Sequence, residues 1–240
     1  SDSSLIKFKV DRKEDYLDLL YYARNQGSLN AIIIDDEKTK DRDRLSQIWK
    51  NLDGRIIKSA KSENNQNEKL LSDLLLIENS RIRALKLSRA LSLPIESTPR
   101  RRRDIDSLIL SVSLSRARSL KPALEFNFGE SLSVYLSPDW RETEYYEDKE
   151  MDLEGVTLID MPWMLNASSD IEIDMQRNRS RNYATGYDVY ELILLLNNPS
   201  SKRNFTFKGM SGKISLKAEK LKRQSLKIEV KRGEYKFIGY

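Results

Sequence analysis

Hydrophobic positions along the chain switch between two periods, and each switch marks an element. The stretches "LIKFKV" (5–10), "NAIIIDD" (30–36), "RIIKSAKS" (55–62), "DSLILSVS" (106–113), "LSVYLSP" (132–138) and "VTLIDMP" (156–162) read as strands. The run at 30–36 is continuously apolar and β-branched at its centre, the pattern of a strand covered on both faces. Between the strands the apolar spacing becomes helical. Residues 14–27 place Tyr16, Leu17, Leu20 and Tyr21 at helical spacing ahead of Gly27, and residues 42–54 carry Leu45, Ile48, Trp49 and Leu52 ahead of Gly54. Residues 68–94 are long enough for two helices, with Asn79 or Ser80 capping the second. Further helices are predicted over 115–127 and 182–198, and "FKGMSGKISLK" (207–217) and "SLKIEVKRGEYKFI" (225–238) read as antiparallel strands around glycine turns.

Strands that alternate with helices of about ten residues imply right-handed crossovers. The predicted class is therefore α/β, a mainly parallel doubly wound sheet with an antiparallel hairpin near the C-terminus. At 39% hydrophobic and 33% charged residues, the 240-residue chain has the balance of a folded domain rather than a disordered one. Lys and Arg number 42 against 37 Asp and Glu, a net charge of +5 interleaved with acids almost everywhere. That excess is a mild attraction to anionic surfaces, not a polycation.

Neither cysteine nor histidine occurs, which removes thiolate nucleophiles, disulfides, Cys/His zinc sites and imidazole acid–base catalysis from this chain. No catalytic set, cofactor or metal is expected. No stretch approaches the ~20 apolar residues that span a bilayer. The first residues lack the charged-then-apolar pattern of a signal peptide, so the chain reads as either cytosolic or trimmed and mature.

Four consecutive arginines, Arg100, Arg101, Arg102 and Arg103, stand directly before the strand at 106–113. A nucleic-acid surface would disperse its basic residues and interleave aromatics, and here no aromatic lies near them in the sequence. The favoured reading is a solvated loop, partly paired with Asp104 and Asp106; contact with an acidic protein partner is the second reading and nucleic acid the last. "IDMPWML" (159–165) ends a strand with a proline, and Asp160 and Trp163 then fall where open α/β sheets present ligands. Trp163 is read first as packing and second as a ligand platform or interface anchor. The acidic segment 139–151, with Trp140, Tyr145 and Tyr146, has the composition of a recognition surface or of a disordered loop. Gly209 and Gly212 are explained by a hairpin turn without invoking a KH-type loop.

Several of these segments carry a resemblance. Ser80-Arg81-x-Arg83 at a helix start, the arginine run before Asp104-Ile105-Asp106, Lys121-Pro122 and "DMPW" (160–163) resemble the periplasmic-binding-protein-like domain of the penicillin-binding protein activator lipoproteins. "GYDVYELI" (186–193) and the 205–216 hairpin are similar to those of type I solute-binding proteins in general. The resemblance implies a type I periplasmic-binding-protein-like lobe: residues 1–181 as its second lobe, 182–198 as a helix returning to an absent first lobe, and 199–240 as a closing hairpin and tail. It implies a non-enzymatic regulator of peptidoglycan synthesis that docks on and activates a class A penicillin-binding protein, without nucleic acid. Such a protein acts in the periplasm, at the inner face of the outer membrane, where family members are held by a lipid anchor. An amino-acid-like solute-binding lobe is the alternative.

Overall fold

In a computed structural model the described residues are 8–36, 41–63, 66–137, 149–165, 180–198 and 204–240. Helices α1 (Arg12–Asn25), α2 (Arg42–Asn51), α3 (Asn67–Leu75), α4 (Ile77–Leu91), α5 (Leu114–Phe126) and α6 (Arg181–Asn197) alternate with strands. The strands are β1 (Asn30–Asp36), β2 (Arg55–Ser62), β3 (Ser107–Ser111), β4 (Ser133–Leu136) and β5 (Val156–Asp160). After α6 come β6 (Phe205–Lys208), β7 (Lys213–Lys217), β8 (Lys220–Gln224), β9 (Leu226–Lys231) and β10 (Glu234–Gly239).

The main sheet has seven strands in the order β10-β9-β5-β4-β3-β1-β2. Strands β2, β1, β3, β4 and β5 run parallel, while β9 joins β5 antiparallel and β10 closes the edge. Alternate side chains feed two cores. Ala31, Ile33, Ile109, Tyr135 and Ile159 pack under α1 and α2, against Tyr16, Leu19, Leu20 and Trp49. Ile32, Ile34, Leu108, Leu110 and Val134 pack on the other face, against Leu71 and Leu75 of α3 and Leu120 and Leu124 of α5. A sheet buried on both sides explains the unbroken apolar run at β1. Because the chain leaves β1 first toward β2 and then crosses back to β3, the strand order reverses between β1 and β3.

Four expectations change in detail. The described end of the predicted first strand, residues 8–10, has no strand structure, and residues 5–7 lie outside the described residues. Leu19 and Ala23, not Leu17 and Tyr21, join Tyr16 and Leu20 on the buried face of α1. The helical region breaks at Leu76 in the left-handed conformation (φ 57°), so Asn79 and Ser80 sit inside α4 and Ser80-Arg81-x-Arg83 is not its start. Both predicted C-terminal hairpins form, but the first is extended by β8 into a separate three-stranded sheet, β6-β7-β8. Ala218 and Glu219, both at positive φ, make the two-residue turn from β7 to β8 without a glycine or asparagine, which is why it escapes a search for turn residues.

Candidate functional site

The sequence-predicted residues separate to opposite ends of the main sheet. Asp160 ends β5 and Trp163 follows it at the carboxyl edge, and the arginine run precedes β3 at the amino edge. Trp140, Tyr145 and Tyr146 lie outside the described residues.

At the carboxyl edge the polar groups face inward. Asp160 is fully buried, and its carboxylate accepts from Nε (3.1 Å) and Nη2 (2.6 Å) of Arg181 and from the Met161 N–H (2.7 Å). The start of α6 is thereby clamped to the end of β5. Trp163 is buried beside Tyr183, ring centroids 5.6 Å apart, and its backbone N–H donates to the Met210 carbonyl at 3.0 Å. It packs between α6 and the β6–β7 turn.

Two buried acids missed by sequence reasoning complete this edge. Asp188 of α6 accepts from the N–H groups of Met210 (2.7 Å) and Ser211 (2.6 Å) and from the Ser211 hydroxyl (2.5 Å). A Cβ on Gly209 would collide with that carboxylate, and Gly212 (φ 151°) backs onto the Gln224 carbonyl, so both glycines belong to this turn. Arg223 of β8 donates to the Ser211 carbonyl (2.8 Å), the Ser225 hydroxyl (2.5 Å) and Asp15 Oδ1 of α1 (2.8 Å). Burial pushes the Asp15 carboxyl up to about 6, outweighing the Arg223 guanidinium, and burial raises Asp188 as well. The signal for Asp188 was present: it shares the α6 face of Ala184 and Leu192 at i, i+4, i+8 spacing.

Beside this network lies the point where the strand order reverses. The Tyr16 hydroxyl donates to Asp41 Oδ2 (2.6 Å) and lies 3.2 Å from the Ser111 hydroxyl, with the Arg12 guanidinium 5.0 Å over its ring. Ser113 donates its N–H to Asp36 (3.3 Å) and caps α5 through Arg116 N–H (3.2 Å). Asp35 and Asp36 are thus divided between a buried strand end, where burial raises the Asp35 carboxyl, and a cap. Among the described residues no three carboxylates gather as a metal would need.

The amino edge has the opposite character. Asp106 is not a counter-charge to the arginines: it accepts from the N–H groups of Leu29 (3.1 Å) and Asn30 (2.9 Å) and the Ser107 hydroxyl (2.9 Å), tying the α1–β1 turn to β3. Asp104 does pair, two-pronged, with Arg102 (2.6 and 2.5 Å), and that bond holds its carboxyl below the usual range. Arg101 donates to the carbonyls of Arg102 (2.8 Å) and Ile105 (3.2 Å) and to the Ser131 hydroxyl (2.7 Å). Arg100 and Arg103 are exposed. Among the described residues the loop is partly self-paired through Asp104 alone.

Fold and site together define a doubly wound lobe of the periplasmic-binding-protein-like type. The model of the family described as LppC putative lipoprotein matches residues 39–233, and the chain belongs to that family. Penicillin-binding protein activator LpoA of Aliivibrio fischeri is 24% identical over 164 residues, 64% of this chain and 27% of that protein. The protein of the same name in Vibrio cholerae is 24% identical over 166 residues, 63% and 26% of the two chains. This chain therefore spans about a quarter of the length of the curated relatives it matches. Full-length LpoA from Haemophilus influenzae superposes with a TM-score of 0.58 at 14% identity, covering 96% of this chain and 40% of that one. A putative branched-chain amino acid ABC transporter from Rhodospirillum rubrum gives a TM-score of 0.63 at 12% identity, covering 96% and 66%. At these identities the two structures establish the fold alone.

Proposed function

We propose that the chain is a non-enzymatic regulatory domain that docks on a class A penicillin-binding protein and stimulates its peptidoglycan synthesis. One observation carries this reading: membership of the LppC family, joined to relatives over most of the chain that bear the name penicillin-binding protein activator. An activator of this kind must bind the working state of the synthase more tightly than the resting state. A tenfold stimulation then corresponds to a difference of about 1.4 kcal/mol. The reading places the domain in the periplasm, held at the inner face of the outer membrane by a lipid anchor. Residues 1–181 act as a second lobe, 182–198 as the helix returning to a first lobe, and 199–240 as the closing strands. Asp160 and Trp163, both buried, shape the carboxyl edge, while the arginine run is available for contact.

Adding the chain in equimolar amount to its cognate synthase, with lipid-linked precursor, is expected to raise the yield of cross-linked product. Unchanged cross-linking at saturating chain would contradict the proposal. A second reading, a small-ligand lobe, is favoured by the Tyr16, Ser111 and Ser113 polar groups at the strand-order reversal, where such sheets bind ligands. A leucine-dependent rise in Tm would support it, since a ligand stabilises the state it binds.

A further inference from the structure

The arginine run has neighbours that its sequence context hides. Helix α4 leaves the amino edge with only Ile77 buried, and the returning segment is pinned back by Arg102 N–H to the Leu75 carbonyl (2.9 Å) and Arg100 N–H to the Ser80 hydroxyl (3.0 Å). Residues 77–103 thereby form an arm carrying eight Lys and Arg against Glu78 and Glu96. Its net +6 exceeds the +5 of the whole chain, so the remaining residues are collectively close to neutral. Apolar side chains stand exposed on the same arm, among them Ile82, Leu85 and Leu93.

Beside the base of the arm lies the α5–β4 turn, joined to it by the hydrogen bond from Arg101 to Ser131 (2.7 Å). This turn presents Phe126, 71% exposed, and Phe128, 41% exposed. Phe128 also adopts a left-handed backbone (φ 60°), a conformation costly for a bulky residue. An exposed aromatic held at such a conformation is poor fold design and good surface design. Arginine and aromatic residues at one surface are the composition of protein–protein contact centres.

We infer that the amino edge is the docking face of the domain and that its partner presents an acidic surface with an apolar recess for Phe126 and Phe128. This rests on the activator reading and names the face it uses: the partner surface belongs to the class A penicillin-binding protein. The charge of the arm calls for acid on the partner. The commitment of Arg101 and Arg102 to protein acceptors distinguishes the face from a phosphate-binding stripe, which needs its guanidinium groups unengaged. It also leaves the carboxyl edge open for a ligand while the partner is bound.

The test is binding of the chain to the periplasmic part of its cognate synthase by interferometry, with single-stranded oligonucleotide and anionic phosphatidylglycerol vesicles as control probes. The double reversal Arg100→Glu/Arg103→Glu is expected to weaken binding by about tenfold or more, corresponding to about 1.4 kcal/mol. Phe128→Gly is the sharper variant, because glycine suits φ 60° and Tm should hold while binding falls. Wild-type binding that neither variant weakens would overturn the docking face and leave the activator reading standing. No wild-type binding to the synthase would overturn both. Tighter binding to oligonucleotide or vesicles than to the synthase would replace the protein partner with a polyanion or a lipid surface and overturn the inference.

Discussion

The two ends of one sheet are built from similar residues put to opposite uses. At the carboxyl edge the buried Asp15, Asp160, Asp188 and Arg223 and the half-buried Arg181 are bonded to one another or to backbone, binding α1, α6 and both sheets into one unit. At the amino edge the cations outnumber the acids, Arg100 and Arg103 face solvent, and Phe126 and Phe128 are exposed. Charges that stabilise by being satisfied are taken from water; charges that recruit a partner stay in it. Counting arginines would rank the amino edge as the more important for folding, and burial reverses that order.

The largest expected effect comes from breaking the buried side of this contrast. Arg223→Met strands Asp15 without its guanidinium and removes the donor to the Ser211 carbonyl, so unfolding free energy should drop by about 3–5 kcal/mol, read from the urea midpoint. A cost below about 1 kcal/mol would place Arg223 with the surface arginines. The two ends should also differ in the sign of their pH dependence. Asp15 has its folded value raised from 3.8 to about 6, so the folded state holds that proton longer. Its contribution is full below about 4, falls as pH rises through about 6 and is flat above. Asp104, lowered by Arg102, contributes above its unfolded value of 3.8 and loses that contribution as pH falls through its folded value. Subtracting the urea stability of Asp15→Asn from wild type between pH 4 and 7 should isolate the downward slope, and a flat difference would show that Asp15 titrates normally. The smallest effect belongs to Arg102→Ala, which breaks a half-exposed pair and should cost no more than about 1 kcal/mol in the same assay.

Much of the fold was legible because burial on both faces writes itself as uninterrupted apolar sequence, and β1 and β2 occupy their predicted residues. The joint at Leu76 was not legible. Leu71, Leu74, Leu75 and Ile77 all enter the core while the rest of α4 departs, and the chain turns where packing ends, not where a capping residue stands. On α1 the aromatic Tyr21 looked like core, yet the sheet selected Leu19 and Ala23. For the candidate site, the departure of the arginines into a partly paired loop was readable from Asp104, and the fate of Asp106 was not, since its backbone donors Leu29 and Asn30 lie far from it in the sequence. The same distance problem hid the aromatics: the segment after α5 that follows Phe126 and Phe128 is joined to the arginine loop by the bond from Arg101 to Ser131.

On the proposed reading docking uses the amino edge while the carboxyl edge holds the domain together. Hydrogen exchange of the chain, alone and saturated with the cognate synthase, separates these two roles. Protection should appear over residues 93–104 and 125–131, with residues 108–113, 160–165 and 209–212 unchanged. Protection confined to the carboxyl-edge segments would contradict it.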